Sequence, residues 1–149
     1  METNDYEIID ILIVEDNPRD AELAIRALKK KNLSNNIFTV SDGAEALDFL
    51  YCKGKYEGRQ LLNRPKVILL DLKLPKVSGL EILAKIKSDP NLKKIPVVVV
   101  SSSKEDPDIK QAYDLGANRY VVKPIDFEKF IDAIQNLGYY WLLVNQTLN

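Results

Sequence analysis

Residue types suited to phosphate chemistry follow four of the apolar segments of this chain. Glu15 and Asp16 follow the first segment, Asp71 follows another, and Ser101 and Lys123 follow two more. A carboxylate can attack phosphorus as a covalent nucleophile, and an ammonium group with a divalent cation can hold the negative oxygens of the incoming group. Asp71 is therefore the candidate nucleophile, Lys123 the candidate ammonium group and Ser101 the candidate hydroxyl donor.

The three carboxylates would need a cation if the fold brings them together. At about 4 Å and an effective dielectric constant near 20, each pair of ionised carboxylates costs about 4 kcal/mol. Mg2+ removes this cost, since it prefers oxygen ligands from carboxylates, waters and phosphate groups. Glu15, Asp16 and Asp71 supply carboxylates, and the backbone carbonyl of Lys73 lies two residues beyond Asp71. The sequence therefore predicts a magnesium site.

Five short apolar runs predict the strands that must position these groups. They are rich in Ile and Val, and three of them are nearly continuous, which indicates burial on both faces. The runs cover residues 8–14, 37–40, 67–70, 97–100 and 120–122. Because helical patterns alternate with them, the sequence predicts an α/β fold with a parallel sheet and right-handed crossovers. In such a sheet, ligands bind outside the carboxyl ends of the strands, where all the candidate residues stand.

The segments between the runs have the apolar spacing of amphipathic helices. We expect the first helix to start near Pro18, the third to stop before Asp89, the fourth to end at Gly116, and Asp126 to cap the fifth. The predicted inward-facing residues are Leu23, Ala24, Ala27 and Leu28 in the first helix, Ala46, Leu47, Leu50 and Tyr51 in the second, Leu80, Leu83 and Ile86 in the third, and Phe127, Phe130, Ile131, Ile134 and Leu137 in the fifth.

The composition argues against several functions. The 149 residues include 21 Lys and Arg against 22 Asp and Glu, so the net charge of -1 gives no sign of nucleic-acid binding. The chain has no histidine, which excludes histidine-based catalysis and histidine metal sites. We expect neither a signal peptide nor a membrane span, because the first residues lack a basic region followed by an apolar run and no apolar stretch approaches the roughly 20 residues of a span. A single cysteine, Cys52, fits a reducing compartment, so we expect one cytoplasmic domain.

Four motifs resemble those of response regulator receiver domains. They are Ile-Val-Glu-Asp-Asn at 13–17, Leu-Leu-Asp-Leu-Lys-Leu-Pro at 69–75 with Gly79, Pro-Val-Val-Val-Val-Ser at 96–101 and Tyr-Val-Val-Lys-Pro at 120–124. The resemblance covers about residues 8–138. It implies a flavodoxin-like, doubly wound (βα)5 fold whose five-stranded parallel sheet has the order 2-1-3-4-5.

The resemblance also implies roles for the candidate residues. Asp71 resembles the phosphoacceptor, Glu15 and Asp16 the acidic metal pair, and the Lys73 carbonyl the third protein ligand of Mg2+. Lys123 resembles the lysine that contacts the phosphoryl group.

Three further positions are matched by the same motifs. Ser101 stands at the hydroxyl switch position and Tyr120 at the aromatic switch position, which turns inward on activation. A cis peptide bond between Lys123 and Pro124 is also implied.

Three other features resemble the small stand-alone regulators that partner bacterial phytochromes. They are the long link that ends at 63–65, the segment Asp-Pro-Asn-Leu-Lys-Lys-Ile-Pro at 89–96 and the aromatic residues at 139–141. The resemblance implies a phosphoacceptor regulator of a two-component phosphorelay. Such a regulator takes a phosphoryl group from a sensor histidine kinase and switches a protein-interaction surface. In this subgroup the kinase is of the phytochrome type. We expect no enzymatic activity beyond self-phosphotransfer and autodephosphorylation.

Other functions stay open. A flavodoxin-like cofactor binder would want a Ser-, Thr- or Gly-rich loop after the first strand, whereas this loop is Glu15-Asp16-Asn17-Pro18. A phosphatase with an aspartate nucleophile often has a second aspartate two residues on, where Lys73 stands. A phosphate-independent pseudo-receiver, acting as a partner-binding module, would normally lack one of the site residues.

The tail of the sequence bears on assembly. Residues 139–144 are apolar on all sides, and helical spacing continues from the fifth helix toward them. Such a patch suggests an interface, so we predict a homodimer through helix five and the tail, with docking of the tail on the same subunit as the alternative. We expect 1–149 to be a single receiver domain, with a core at about 8–138, a tail at 139–149 and no output domain. DNA binding and membrane binding are not expected.

Overall fold

The computed structural model describes residues 10–30, 36–59 and 64–134. Strands and helices alternate along the chain. They are β1 (Ile11–Val14), α1 (Pro18–Lys30), β2 (Ile37–Val40), α2 (Gly43–Tyr51), a 3-10 turn (Gly54–Tyr56), β3 (Val67–Leu70), α3 (Gly79–Ser88), β4 (Val97–Ser101), α4 (Asp106–Asp114), β5 (Arg119–Val122) and α5 (Phe127–Ile134).

The five strands form one parallel sheet in the order β2-β1-β3-β4-β5. The predicted flavodoxin-like α/β fold is therefore confirmed, including its strand order. Val14 of β1 lies opposite Leu70 of β3, so the residues that follow these two strands leave the sheet side by side. The topology alone brings the acidic positions of two distant segments to one edge.

Successive residues of β1 supply opposite faces of the sheet. Ile11 and Ile13 belong to a buried cluster with α1 and α5, whereas Leu12 and Val14 belong to a second cluster with α2 and α3. All four side chains are buried. This is why the strand is continuously apolar: side chains on both faces leave water and contact a helix layer.

Short polar side chains cap the first turns of α2, α3 and α5. Asp42 accepts a hydrogen bond from the backbone N–H of Glu45 at 2.7 Å, and Ser78 accepts one from Glu81. Asp126 accepts one from the N–H of Lys129, which confirms it as the cap of α5. These bonds satisfy amides that have no partner inside the helix.

The structure differs from the sequence predictions at the end of α4 and on the inward face of α2. Helix α4 ends at Asp114, two residues before Gly116, whose φ of 108° closes the turn that follows. In α2 the sequence pattern missed Phe49, which is fully buried, while Leu47 and Tyr51 are half-buried. Phe49 stacks on Phe38 with ring centroids 5.0 Å apart, so an aromatic contact across elements determines which face of α2 turns inward.

Some predictions fall outside the described residues. They are the start of the first run at 8–9, Leu137, the tail at 139–149, and the side chains of Phe127 and Ile134. The homodimer predicted from helix five and the tail stays a prediction. Among the described residues, no helix combines the length and apolar character needed to cross a bilayer.

Candidate functional site

Three carboxylates meet at the carboxyl edge of the sheet. Glu15 and Asp16 follow β1, Asp71 follows β3, and each contributes an oxygen atom that lies within 4.8 Å of the others. Glu15 and Asp71 are buried, whereas Asp16 is exposed. The structure thus brings together all three side chains that the sequence singled out as metal ligands, in a geometry that a single cation can bridge.

The ammonium group of Lys123 lies among these carboxylates. Its Nζ is 2.6 Å from Oε1 of Glu15 and 3.2 Å from Oδ2 of Asp71. The lysine is positioned by its own backbone, since its N–H donates to the carbonyl of Ser101 at 2.8 Å. The next peptide bond, to Pro124, is cis, as the resemblance implied.

A fourth carboxylate, which the sequence analysis did not select, also contacts this lysine. Oδ2 of Asp20, in the first turn of α1, lies 2.9 Å from Nζ of Lys123. An acidic residue in a first turn is ordinarily explained by the helix dipole, so the residue type alone does not indicate the contact. The available signal was its position one helical turn beyond Asp16.

Burial and mutual repulsion make the site electrostatically strained without a cation. Burial raises the pKa of the Glu15 carboxyl to about 7, and Asp71 acts in the same direction, while Lys123 opposes the shift. Burial by itself lowers the pKa of Lys123, but its contacts with Glu15 and Asp20 outweigh this effect and raise it above its ordinary value. The site therefore favours the charged form of Lys123 and disfavours ionisation of Glu15.

Asp71 is held by the loop that follows it. Its Oδ1 accepts a hydrogen bond from the N–H of Lys73 at 3.2 Å, while its own N–H donates to the carbonyl of Val14. The two carboxylate oxygens thus have different neighbours: one faces a backbone amide and the other faces Lys123. Donors on either side of a carboxylate fix its orientation and can bind further oxygens that it acquires.

Two glycines allow this loop to pack closely. A Cβ at Gly79 would lie 2.2 Å from the carbonyl oxygen of Asp71, and one at Gly43 would lie 2.0 Å from the carbonyl oxygen of Val77. Gly43 also donates its N–H to the carbonyl of Pro75 at 3.2 Å. Helices α2 and α3 therefore clamp the segment that carries the predicted ligand carbonyl.

The two predicted switch residues are joined through a third residue. Ser101 is fully buried, and its Oγ accepts a hydrogen bond from the N–H of Ser103 at 3.2 Å. The hydroxyl of Tyr120 donates to the carbonyl of the same Ser103 at 3.0 Å. Ser103 in turn donates its hydroxyl to Asp108 of α4 at 2.5 Å. A network of hydrogen bonds therefore connects the end of β4, the ring of Tyr120 and the start of α4.

The arrangement combines what phosphoryl transfer needs. It offers a buried carboxylate with one ammonium neighbour, two further carboxylates suited to a hard cation, and a hydroxyl on the adjacent strand end. The ammonium group of Lys123 offsets part of the repulsion between Glu15 and Asp71.

Comparison with known proteins agrees with this geometry. The family model of the response regulator receiver domain matches residues 11–135. The chain is 39% identical to Response regulator Rcp1 of Synechocystis sp. over 132 residues, covering 89% of this chain and 88% of Rcp1.

Solved structures of three regulators resemble it. The bacteriophytochrome response regulator AtBRR is 50% identical, with a TM-score of 0.78 and coverage of 91% of this chain and 96% of AtBRR. The Mn2+-bound form of Rcp1 is 38% identical, with a TM-score of 0.76 and coverage of 90% and 94%. The phosphorylated cyanobacterial phytochrome response regulator RcpA is 41% identical, with a TM-score of 0.76 and coverage of 91% and 94%.

The fold, its strand order and these matches agree over almost the whole of the described residues. The chain belongs to the response regulator receiver domain family of two-component signalling.

Proposed function

We propose that this chain accepts a phosphoryl group from a sensor histidine kinase onto Asp71, with Mg2+ as its cofactor, and thereby switches a protein-interaction surface. The observation that carries the proposal is the contact of Lys123 with Asp71 at 3.2 Å beside two further carboxylates. An isolated strand-end aspartate would need only solvent or a helix amide.

The residues present fit a hard divalent cation. Glu15, Asp16 and Asp71 offer oxygen atoms within bridging distance of one another, and the Lys73 carbonyl would complete the protein ligands. When bound, Mg2+ supplies positive charge for the oxygens of the phosphoryl group. The Mn2+-bound form of the relative Rcp1 supports a divalent cation here.

The chain's own residues have distinct tasks in the transfer. A carboxylate oxygen of Asp71 forms the new bond to phosphorus as the phosphorus–nitrogen bond of the kinase phosphohistidine breaks, and the histidine leaves with the electron pair of that bond. Lys123 donates hydrogen bonds to the transferred oxygens. Burial of Asp71 limits access of water to the product.

The switch would act through Ser103. An oxygen of the phosphoryl group on Asp71 attracts the hydroxyl of Ser101, whose Oγ already accepts the Ser103 N–H. Movement of Ser103 displaces its carbonyl, which accepts the hydrogen bond from Tyr120. It also displaces its hydroxyl, which donates to Asp108 of α4. A local change of charge thus alters the surface formed by α4, β5 and α5.

The relatives suggest the type of kinase. AtBRR is a bacteriophytochrome response regulator and RcpA a phytochrome response regulator. We therefore propose a phytochrome-type histidine kinase as the partner and a cytoplasmic location. In this account the chain catalyses only its own phosphorylation and dephosphorylation.

Beryllofluoride tests the proposal, because with a carboxylate it stands in for an aspartyl phosphate. Titration with Mg2+ present should give a saturable change in fluorine NMR and in tyrosine fluorescence. Asp71→Asn should remove this change without unfolding the protein, whereas Asp106→Asn, on exposed α4, should retain it. A wild-type protein that stays folded but does not respond would instead support the phosphate-independent pseudo-receiver.

A further inference from the structure

Asp20 contacts the site through Lys123. Oδ2 of Asp20 lies 2.9 Å from Nζ of Lys123. The same nitrogen lies 2.6 Å from Glu15 and 3.2 Å from Asp71. We infer that Asp20 is a positioning residue: its carboxylate holds the Lys123 ammonium group where the phosphoryl oxygens arrive. The inference rests on the proposed function and names one further residue of that site.

The position of Asp20 differs from those of the other carboxylates. Among the described residues, the group of acidic side chains that can bridge one cation contains Glu15, Asp16 and Asp71, and Asp20 is not a member. With a cation held by Glu15 and Asp71, these two carboxylates would offer Lys123 less negative charge, and its ammonium group would be repelled by the cation. Asp20 then remains as the anionic partner that keeps the lysine in place.

The geometry of the ammonium group permits this role. A lysine ammonium has three hydrogens, and here Glu15, Asp20 and Asp71 each lie within ion-pair distance of it. A phosphoryl oxygen carried on Asp71 takes over the contact with Asp71. Asp20 does not need to move, so the two anions do not compete for the same hydrogen.

The backbone of Asp20 is positioned by the cap of α1. It lies in the first turn of α1, where Oδ1 of Asn17 accepts the N–H groups of Arg19 at 2.9 Å and of Asp20 at 3.2 Å. The next residue, Ala21, is buried against the body of the domain. The side chain of Asp20 is 26% exposed, so it has access to solvent at the mouth of the site while it contacts the lysine.

A double-mutant cycle tests whether Asp20 acts through Lys123. The affinity for beryllofluoride is measured at saturating Mg2+ in wild type, Asp20→Asn, Lys123→Met and the double variant. Asp20→Asn should weaken binding about five- to tenfold in the presence of Lys123, the size of one weakened charge-assisted hydrogen bond. In the Lys123→Met background the same change should not weaken binding, since only the repulsion between Asp20 and the anion is then removed.

Two controls separate positioning from general effects. Glu22→Gln removes the same charge from α1 at a side chain that is 61% exposed and pairs with Arg26, so beryllofluoride affinity should be unchanged. The Mg2+ affinity of Asp20→Asn should change less than about threefold, because the lost charge is outside the cation cluster. A merely structural defect would instead lower both affinities.

Three results would overturn the inference. They are tighter binding of beryllofluoride by Asp20→Asn, equal losses in the two lysine backgrounds, and a matching loss in Glu22→Gln.

A second measurement does not depend on beryllofluoride. In nitrogen-labelled protein at low temperature, the ammonium protons of Lys123 should give a proton–nitrogen NMR signal, which Lys123→Met identifies. Asp20→Asn should broaden this signal by faster exchange with water, and an unchanged signal would contradict the inference. Failure of wild type to bind beryllofluoride would count against the proposed function, while the NMR signal would still show whether Asp20 holds the lysine.

Discussion

The hydroxyl of Tyr120 donates a hydrogen bond to the carbonyl of Ser103 at 3.0 Å. This bond joins β5 to the loop before α4, and the same serine contacts Ser101 and Asp108. The state of the aromatic side chain is therefore linked to the position of the loop that leads from the site to α4.

Tyr120→Phe should remove this link. We expect a loss of about 0.5 to 1.5 kcal/mol in unfolding free energy, because the Ser103 carbonyl loses its donor. Hydrogen exchange should become faster at the amides of residues 103–106. Tyr113→Phe is the matched control, since its ring is 44% exposed on α4, and it should change stability by less than about 0.5 kcal/mol. Equal effects of the two substitutions would show that the bond contributes nothing.

Gly79→Ala should damage the site from the side of α3. The added Cβ would lie 2.2 Å from the carbonyl oxygen of Asp71 and 2.5 Å from Cα of Leu72, so the loop must shift. We expect a loss of about 1 to 3 kcal/mol in unfolding free energy and weaker Mg2+ binding, measured by denaturation and calorimetry. Lys85→Ala, on the exposed part of the same helix, should leave Mg2+ binding unchanged. Retention of both properties by Gly79→Ala would contradict the close packing.

The stability of the metal-free protein should depend on pH through Glu15. Its pKa is raised from 4.5 to about 7 in the folded protein, so between these values the folded state binds more protons than the unfolded state. Stability therefore falls as pH rises through this window.

Comparison with Glu15→Gln isolates this effect. Relative to that variant, the unfolding free energy of wild type should fall by about 1 to 3 kcal/mol as the pH rises from 4.5 to about 7. This range allows for solvent screening. Urea denaturation in a chelator measures this difference, and added Mg2+ should reduce it. A difference between the two proteins that does not vary with pH would refute the assignment.

The apolar tail should mediate self-association. We predict a homodimer through helix five and residues 139–144, because a segment whose sequence is apolar on all sides is rarely left in water. Sedimentation at tens of micromolar protein, with and without beryllofluoride and Mg2+, measures the mass. Tyr140→Glu should shift the equilibrium toward monomer. Monomeric wild type under both conditions would contradict the prediction.

The sequence predicts those features that depend on periodicity and on strand ends. Continuous apolar runs identified the buried parallel strands. Because Glu15, Asp16, Asp71 and Lys123 each follow one of these strands, the sequence also predicted that they lie at one edge of the sheet. Both properties follow from the backbone of a parallel sheet and need no knowledge of side-chain packing.

Contacts between elements could not be predicted in the same way. Phe49 turns inward because it stacks on Phe38 of β2, and this pairing depends on the register between a helix and a strand. Asp20, in the first turn of α1, reaches Lys123, which follows β5, although β1 and β5 are not neighbours in the sheet. Phe49 has no local signal that distinguishes it from an ordinary helix residue, and the available signal for Asp20 is its spacing from Asp16.

The most direct test of the central claim is the site of phosphorylation. Incubation with phosphoramidate and Mg2+, followed by intact mass and peptide analysis, should show one added phosphoryl group on the peptide that contains Asp71. Asp71→Asn should show none, and Asp106→Asn should be labelled like wild type. Absence of labelling in folded wild type, or equal labelling of Asp71→Asn, would contradict the assignment of Asp71 as phosphoacceptor.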